Sequence, residues 1–318
     1  MRRFACALAL LAAATANAAD YPTRPVKIVV PYTPGGAVDV MTRLIAERIS
    51  APLGQPVVPE NRPGAGASVG AAVVAKSPPD GYTLFVCTNG AMTINTALYK
   101  SLPYDPLRDF EPIISLANHA VVLIVNSELG IRSVPELLAF ARSRPGKISG
   151  GSSGSGSTMH LALEFLNKSA GTNITHVPYR GSAPATAAVA SGDLQMSFMD
   201  LVPAMPLAKA GKVRIIGVIG AQRTAIAPEV PTMEESGLAG FDFVTWSGFF
   251  APAGTPKDVI AKLNQEIGRV MADPDVKQRL INLGGEPIGG PPEVLGERVR
   301  REMSMWTSLV RDAGAKAD

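Results

Sequence analysis

The strongest constraint on this chain is a series of short apolar runs, each ending in a loop that leads into a segment with helical spacing. Val26–Val30 (VKIVV), Thr83–Thr88 (TLFVCT) and Val213–Ile219 (VRIIGVI) place apolar residues at successive positions. A strand with one wet face alternates polar and apolar residues, so these runs read as strands covered on both faces. Further strands are expected at Val57–Pro59, Lys147–Gly150, Ile174–Pro178, Leu194–Met199 and within Phe241–Phe250. Helical patterns fall between them. Val40, Met41, Leu44, Ile45 and Ile49 recur at helical spacing behind Asp39, a candidate N-cap. Ser133-Val134-Pro135-Glu136 is a capping box opening a helix. Other helices are expected over Ala67–Lys76, from Met159 (MHLALEFLNK) and over Ala183–Ala190. Three more lie near Lys257–Met271, Asp275–Leu283 and Pro292–Arg311. This alternation predicts an α/β fold with mostly parallel sheets.

At 318 residues the chain has room for two domains. With 46% hydrophobic and 18% charged residues it can bury real cores, which excludes a disordered chain. Net charge is +3, without the basic excess of a nucleic-acid-binding protein. Two cysteines, Cys6 and Cys87, exclude a disulfide framework and a cysteine-based metal site. Three histidines (His119, His160, His176) leave little for a His-rich metal centre, and no metal or other cofactor is expected.

The first residues read as an export signal. Met1-Arg2-Arg3 is a basic start, Phe4–Ala14 an apolar run, and Ala16-Asn17-Ala18 a cleavage site. Cleavage after Ala18 would remove Cys6 and two arginines, taking the net charge from +3 to +1. The apolar run is too short for a permanent span, which needs about 20 residues. A soluble periplasmic protein is the expectation.

In open α/β sheets ligands bind beyond the carboxyl ends of strands, so the loops there are candidate sites. Gly151–Thr158 (GSSGSGST) ends at a helix N-terminus, whose unpaired amides and dipole suit an anion such as a carboxylate. A flexible loop with Ser157 or Thr158 as a plain N-cap is the alternative. The stretch also holds a G-x-S-x-G match centred on Ser152. Glu164 is the only carboxylate between Ser152 and His176, and it sits four residues from His160, so no workable hydrolase triad is evident. Pro31–Asp39 (PYTPGGAVD) is a second such loop, with Gly35-Gly36 allowing close backbone approach. Gly64–Gly70 (GAGASVG) departs from the dinucleotide spacing and reads as helix packing. Thr88-Asn89-Gly90-Ala91, Tyr179–Pro184 and Asp200 also close strands. For each, a turn role and a ligand role stay open. Cys87 reads as inert packing, His119 and His176 as structural, and Trp246 as either core or cleft.

These pieces together resemble the substrate-binding proteins of tripartite tricarboxylate transporters, the TctC or Bug family. The resemblance runs through YPTRPVKIVVPYTPGGAVDVMTRLIAERIS, ENRPGAGASVGAAVVAKSPPDGYTLF, NTALYKSLPYDPLRDFEPI, GSSGSGSTMHLALEFL, HVPYRGSAPATAAVASGDLQMSFMD and APAGTPKDVIAKLNQEI. It implies a two-domain, hinged receptor of the Venus flytrap type, without enzymatic activity. Residues 19–122 and 248–318 would form one domain and 123–247 the other, with crossings near Val121–Val125 and Thr245–Phe250. A small carboxylate would lie between them, held by the loop after the first strand, partly through ordered waters, and gripped by the Gly/Ser loop. Carried over residue by residue, Tyr32, Thr33, Gly35, Gly36 and Ala37 match the first loop, and Thr88, Asn89 and Ala91 a second contact region. Ser152, Ser155, Ser157 and Thr158 match the anion loop; Tyr179, Gly181, Ala183 and Asp200 match contacts from the other domain. Arg180 stands where the family usually has Lys or another polar residue. The serine-rich loop, and Asp200 if it faces the cleft, would favour a polar or amino-bearing ligand. Implied partners are the carboxylate and either permease subunits or a sensor kinase, with a monomeric receptor and no nucleic acid.

Overall fold

A computed structural model describes residues 21–313, apart from Ala225 and Asp242. The expected signal segment and its Ala18 cleavage site lie outside the described residues. The chain runs β1 (Val26–Val30), α1 (Ala37–Leu53), β2 (Val57–Asn61), α2 (Ser68–Ala75), β3 (Thr83–Thr88) and α3 (Asn95–Leu98). It continues with β4 (Phe110–His119), β5 (Val121–Asn126), α4 (Val134–Arg142), β6 (Ile148–Ser152), α5 (Thr158–Ala170) and β7 (Ile174–Pro178). Then come α6 (Ser182–Ser191), β8 (Met196–Asp200), α7 (Leu201–Lys209), β9 (Val213–Val218) and β10 (Thr245–Pro252). The last elements are α8 (Lys257–Ala272), α9 (Pro274–Asn282), β11 (Gly285–Gly289) and α10 (Pro292–Ala313).

The strands form two sheets, a six-stranded one ordered β11-β4-β10-β3-β1-β2 and a five-stranded one ordered β7-β6-β8-β5-β9. Both faces of each sheet are covered, as the unbroken apolar runs require. Met41, Ile45 and Ile49 of α1 and Leu263 and Ile267 of α8 pack on one face of the larger sheet. Val74 of α2 and Leu295 and Val299 of α10 pack on the other. The smaller sheet lies between Leu137 and Leu163, from α4 and α5, and Val189 and Ala204, from α6 and α7.

The sheets are mixed, not mostly parallel. β1 pairs in parallel with β2 and β3, and β6 with β7 and β8. β10 runs antiparallel to β3 and β4, β11 to β4, and β5 to β8 and β9. The reversals come from the strands that carry the chain between sheets. β4 ends at His119, Ala120 intervenes alone, and β5 begins at Val121 in the other sheet. The chain returns between β9 and β10. β4, β5, β11, α3 and α7 are additions to the sequence expectation.

Local chemistry starts and stops the helices. Ser133 accepts from the Glu136 amide at 3.4 Å, and Glu136 accepts from the Arg132 amide at 2.7 Å. Gly54 ends α1 in the left-handed conformation at φ 68°. The N-cap of α1 is Gly36, which has no side chain, and not Asp39. Asp39 sits two residues inside the helix and reaches back to accept from the Gly35 amide at 2.9 Å.

Candidate functional site

A cleft of about 360 Å³ lies where the carboxyl ends of the two sheets face each other. The six-stranded half contributes Tyr32, Thr33 and Gly36–Val38 after β1, Pro63–Ala67 after β2, and Thr88, Gly90 and Ala91 after β3. The five-stranded half contributes Ser153–Met159 after β6, Pro178–Ser182 after β7, and Asp200. Thr245 lies at the return crossing.

The first loop is built around Asp39. Its carboxylate accepts from the Gly35 amide, Arg43 Nε at 3.1 Å and Asn61 Nδ2 at 2.8 Å, and it is 2% exposed. Burial alone would raise its pKa, but the hydrogen bonds from Arg43, Asn61 and Gly35 hold it below the usual carboxylate value. Asn61 also donates to the Tyr32 carbonyl at 2.9 Å. The Tyr32 hydroxyl accepts from the Thr88 amide at 2.9 Å and lies 2.8 Å from Thr88 Oγ1. Burial raises the Tyr32 pKa, so the phenol stays neutral. Asp39 thus shapes the loop from behind and is not on the cleft wall.

The Gly64–Ala67 loop, read from sequence as helix packing, forms part of the wall. Gly64 (φ 138°), Ala65 (45°), Gly66 (59°) and Ala67 (76°) all have positive φ. Two alanines in that region mark a strained turn of the kind found at functional sites. A Cβ on Gly66 would collide with the Ser155 carbonyl oxygen of the other half.

Opposite lies the Gly/Ser loop. Ser157 caps α5, accepting from the His160 amide at 3.2 Å. Thr158 Oγ1 donates to Asn89 Oδ1 at 3.1 Å, from one half to the other. A Cβ on Gly181, the N-cap of α6, would lie 2.7 Å from Thr33 Oγ1. Asp200 accepts a 2.5 Å hydrogen bond from Ser182, and burial lifts its carboxyl to about 6. Thr245 Oγ1 is buried without a hydrogen-bond partner.

Of the sequence candidates, Tyr32, Thr33, Gly36, Ala37, Thr88, Ala91, Ser155, Ser157, Thr158, Tyr179, Gly181 and Asp200 come together on this wall. Gly35, Asn89, Ser152 and Ala183 stand outside it. Asn89 and Ser152 are fully buried, one behind Thr158 and one beneath the Gly/Ser loop. Arg180, whose direction the sequence left open, is on the wall. Sequence reasoning passed over Pro63–Ala67, Tyr99 and Thr245; the strand end at Asn61 was the available signal for the first of these.

The remaining candidates have structural places. Cys87 is fully buried in β3, and burial raises its pKa. His119 Nε2 lies 2.7 Å from Ser247 Oγ, and burial lowers its pKa to about 4. Trp246 is core, donating from Nε1 to Glu302 at 2.6 Å. Ser152 Oγ and His176 Nε2, dismissed as a catalytic pair from sequence, lie 2.6 Å apart. Ser152 is nevertheless 0% exposed and also accepts from the Gly154 amide at 3.1 Å. His160, Glu164 and His176 place ligand-capable atoms within 4.8 Å of one another, and could hold a metal. His160 Nδ1 and His176 Nε2 are already engaged with Gly156 and Ser152.

Two α/β halves joined by strand crossings, with helix N-termini facing each other over a cleft, define a binding protein of the two-lobed receptor class. Residues 41–314 match the model of the tripartite tricarboxylate transporter family receptor, TctC. A protein of Pseudomonas sp. (strain P51), "UPF0065 protein in tcbD-tcbE intergenic region", is 40% identical, over 91% of this chain and 86% of that one. The structure titled "R. palustris Rpa4515 with adipate" superposes with a TM-score of 0.90 at 37% identity, covering 94% of this chain and all of that one. MatC from Rhodopseudomonas palustris, solved with bound malate, superposes at 0.87 with 34% identity, covering 91% and 100%. The chain belongs to the tripartite tricarboxylate transporter receptor family.

Proposed function

We propose that this protein is an exported receptor that captures a small carboxylate in the cleft and presents it to membrane permease subunits, without chemistry of its own. The observation that carries this reading is the pair of helix N-termini on opposite walls. Gly36–Val38 open α1 on one side and Ser157–Met159 open α5 on the other. First-turn amides have no partner within their helix, and the glycine N-cap of α1 supplies no side chain to take them. Two such ends favour an anion with little need for buried cations. Arg180 is the one cation on the wall and Asp200 the one carboxylate. The adipate and malate bound by the two relatives support the ligand class.

In this reading residues 19–122 and 248–318 move against 123–247 as a monomeric hinged trap. No helix among the described residues is long and apolar enough to cross a membrane. The expected N-terminal signal is what points this reading to the periplasm. A thermal-shift screen of carboxylates against neutral analogues tests the proposal. A ligand at about 1,000 times its Kd stabilises by ~4 kcal/mol. For a chain of this size that raises Tm by several degrees, at about 2–4 °C per kcal/mol. Shifts confined to carboxylates are expected. Equal shifts with the neutral analogues would overturn the ligand class.

A further inference from the structure

The Gly/Ser loop is held from below by two histidines that the binding role leaves unused. The Gly156 amide donates to His160 Nδ1 at 3.3 Å. Ser152 Oγ lies 2.6 Å from His176 Nε2. The two imidazoles stack, with ring centroids 4.0 Å apart and planes 19° from parallel. One ring therefore ties the start of the loop and the other its last turn before α5, and the stack joins the two ties. We propose that His160 and His176 are positioning residues, a stacked neutral pair that fixes the Gly/Ser loop in its ligand-receiving shape. This rests on the reading of the cleft as a carboxylate receptor.

The chemistry at each end calls for a lone pair. An amide can donate to Nδ1 only while that nitrogen carries no proton. With Nδ1 accepting, the neutral His160 ring carries its proton on Nε2, which faces Glu164 Oε1 at 3.7 Å. Ser152 Oγ accepts from the Gly154 amide, and of the two acceptors within reach of its own proton His176 Nε2, at 2.6 Å, is nearer than the Gly154 carbonyl, at 3.2 Å. Burial lowers the His176 pKa, which favours the neutral ring. His160 is 3% exposed, whereas His176 is half-buried, so the first tie is the drier of the two. The residues on the wall, Ser155, Ser157 and Thr158, lie between or beside the tied positions. Their placement depends on rings that do not reach the cleft.

Atom-matched substitutions test this. An asparagine oxygen falls near the place of Nδ1, and a glutamine oxygen near that of Nε2. His160→Asn and His176→Gln therefore keep the ties, whereas His160→Gln and His176→Asn break them. Ser152→Ala cuts the second tie without altering either ring. Each variant is read by amide hydrogen exchange over residues 153–158 without ligand, and by the Kd for a carboxylate that shifts the wild-type Tm. The tie-keeping variants are expected within about threefold of wild-type affinity with loop exchange unchanged. The tie-breaking variants and Ser152→Ala are expected to bind about tenfold more weakly and to exchange faster across the loop. If Asn and Gln behave alike at each position, or Ser152→Ala matches wild type, the rings only fill space and the proposal fails. Should the wild type bind no carboxylate, the receptor reading falls, and loop exchange in the same variants still decides the role of the histidines.

Discussion

The Thr158 hydroxyl donates to the Asn89 side-chain oxygen at 3.1 Å, linking the first residue of α5 in one half to the end of β3 in the other. Asn89 is fully buried and its Nδ2 has no partner. The link therefore joins the two halves directly behind the cleft wall, where Thr158 also faces the ligand space. Thr158→Val keeps the shape and removes the donor. The expected result is a carboxylate Kd about five- to tenfold weaker, the scale of one lost hydrogen bond at ~1 kcal/mol. Ser157→Ala, by contrast, removes the cap that accepts from the His160 amide and should lower unfolding stability by ~1 kcal/mol. Calorimetric titration and urea unfolding of the two single variants separate these effects. Sequence alone left a ligand role and a plain N-cap role open for these two hydroxyls.

Gly66 is one of the tight points of approach between the halves. Alanine there would press its Cβ on the Ser155 carbonyl and would adopt φ 59° at a cost of ~1 kcal/mol. Because the collision is with the opposite half, the fold of each half should survive while closure is blocked. Gly66→Ala is expected to weaken ligand binding at least about tenfold, with a larger ligand-saturated radius of gyration by small-angle scattering. Wild-type affinity would show that the halves do not come this close when the ligand is held.

Asp200 is expected to make ligand binding depend on pH. Its carboxyl is lifted to about 6 by burial, with Ser182 acting in the opposite direction. Below that pH it is neutral; above it, a half-buried negative charge sits on the same wall as Tyr32, Tyr179 and Arg180. A ligand whose only charges are carboxylates favours the protonated form, so its affinity should fall as pH rises from 5 to 8. Asp200→Asn should flatten that slope. A ligand bearing an ammonium group beside Asp200 should show the reverse slope. Titrations at three pH values distinguish the two ligand types.

His119 links acid to unfolding. Burial lowers its pKa from 6.5 to about 4, so between those values the unfolded chain binds the extra proton. The stability that depends on a neutral His119 is complete above about pH 6.5 and is lost as pH falls toward 4. Between pH 7 and pH 5 the loss from this residue is about 2 kcal/mol. His119→Gln, which keeps a partner for Ser247, should lose about that much less than wild type in urea unfolding at the two pH values.

The α/β architecture was legible because runs such as VKIVV and TLFVCT sit between clear turns. β4 and β5 escaped because one residue, Ala120, separates them, and FEPIISLANHAVVLIVN carries no glycine or internal turn to mark the change of sheet. α7 escaped because Pro203 and Pro206 read as helix breakers. At the site, the loops following β1, β6 and β7 could be read from strand polarity alone. The wall at Gly64–Ala67 could not, since nothing local tells an alanine to take positive φ; the tertiary fold imposes it. The stacking of His160 on His176 depends on α5 lying against β7, a relation between elements that the spacing of two histidines does not encode.

The last helix belongs to both halves. Leu295 and Val299 of α10 lie in the core beneath the larger sheet, while Trp306 and Val310 lie in the core of the smaller one, with Trp306 5.4 Å from Phe243. Trp246 is anchored to Glu302, midway along the same helix. These are the chain's two tryptophans, and one helix threads both. A rotation of one half against the other would disturb either the packing of Trp306 in the smaller half or the bond between Trp246 and Glu302. If the proposed trap closes by such a rotation, the intrinsic emission of the unlabelled protein is expected to report it in a stopped-flow cell.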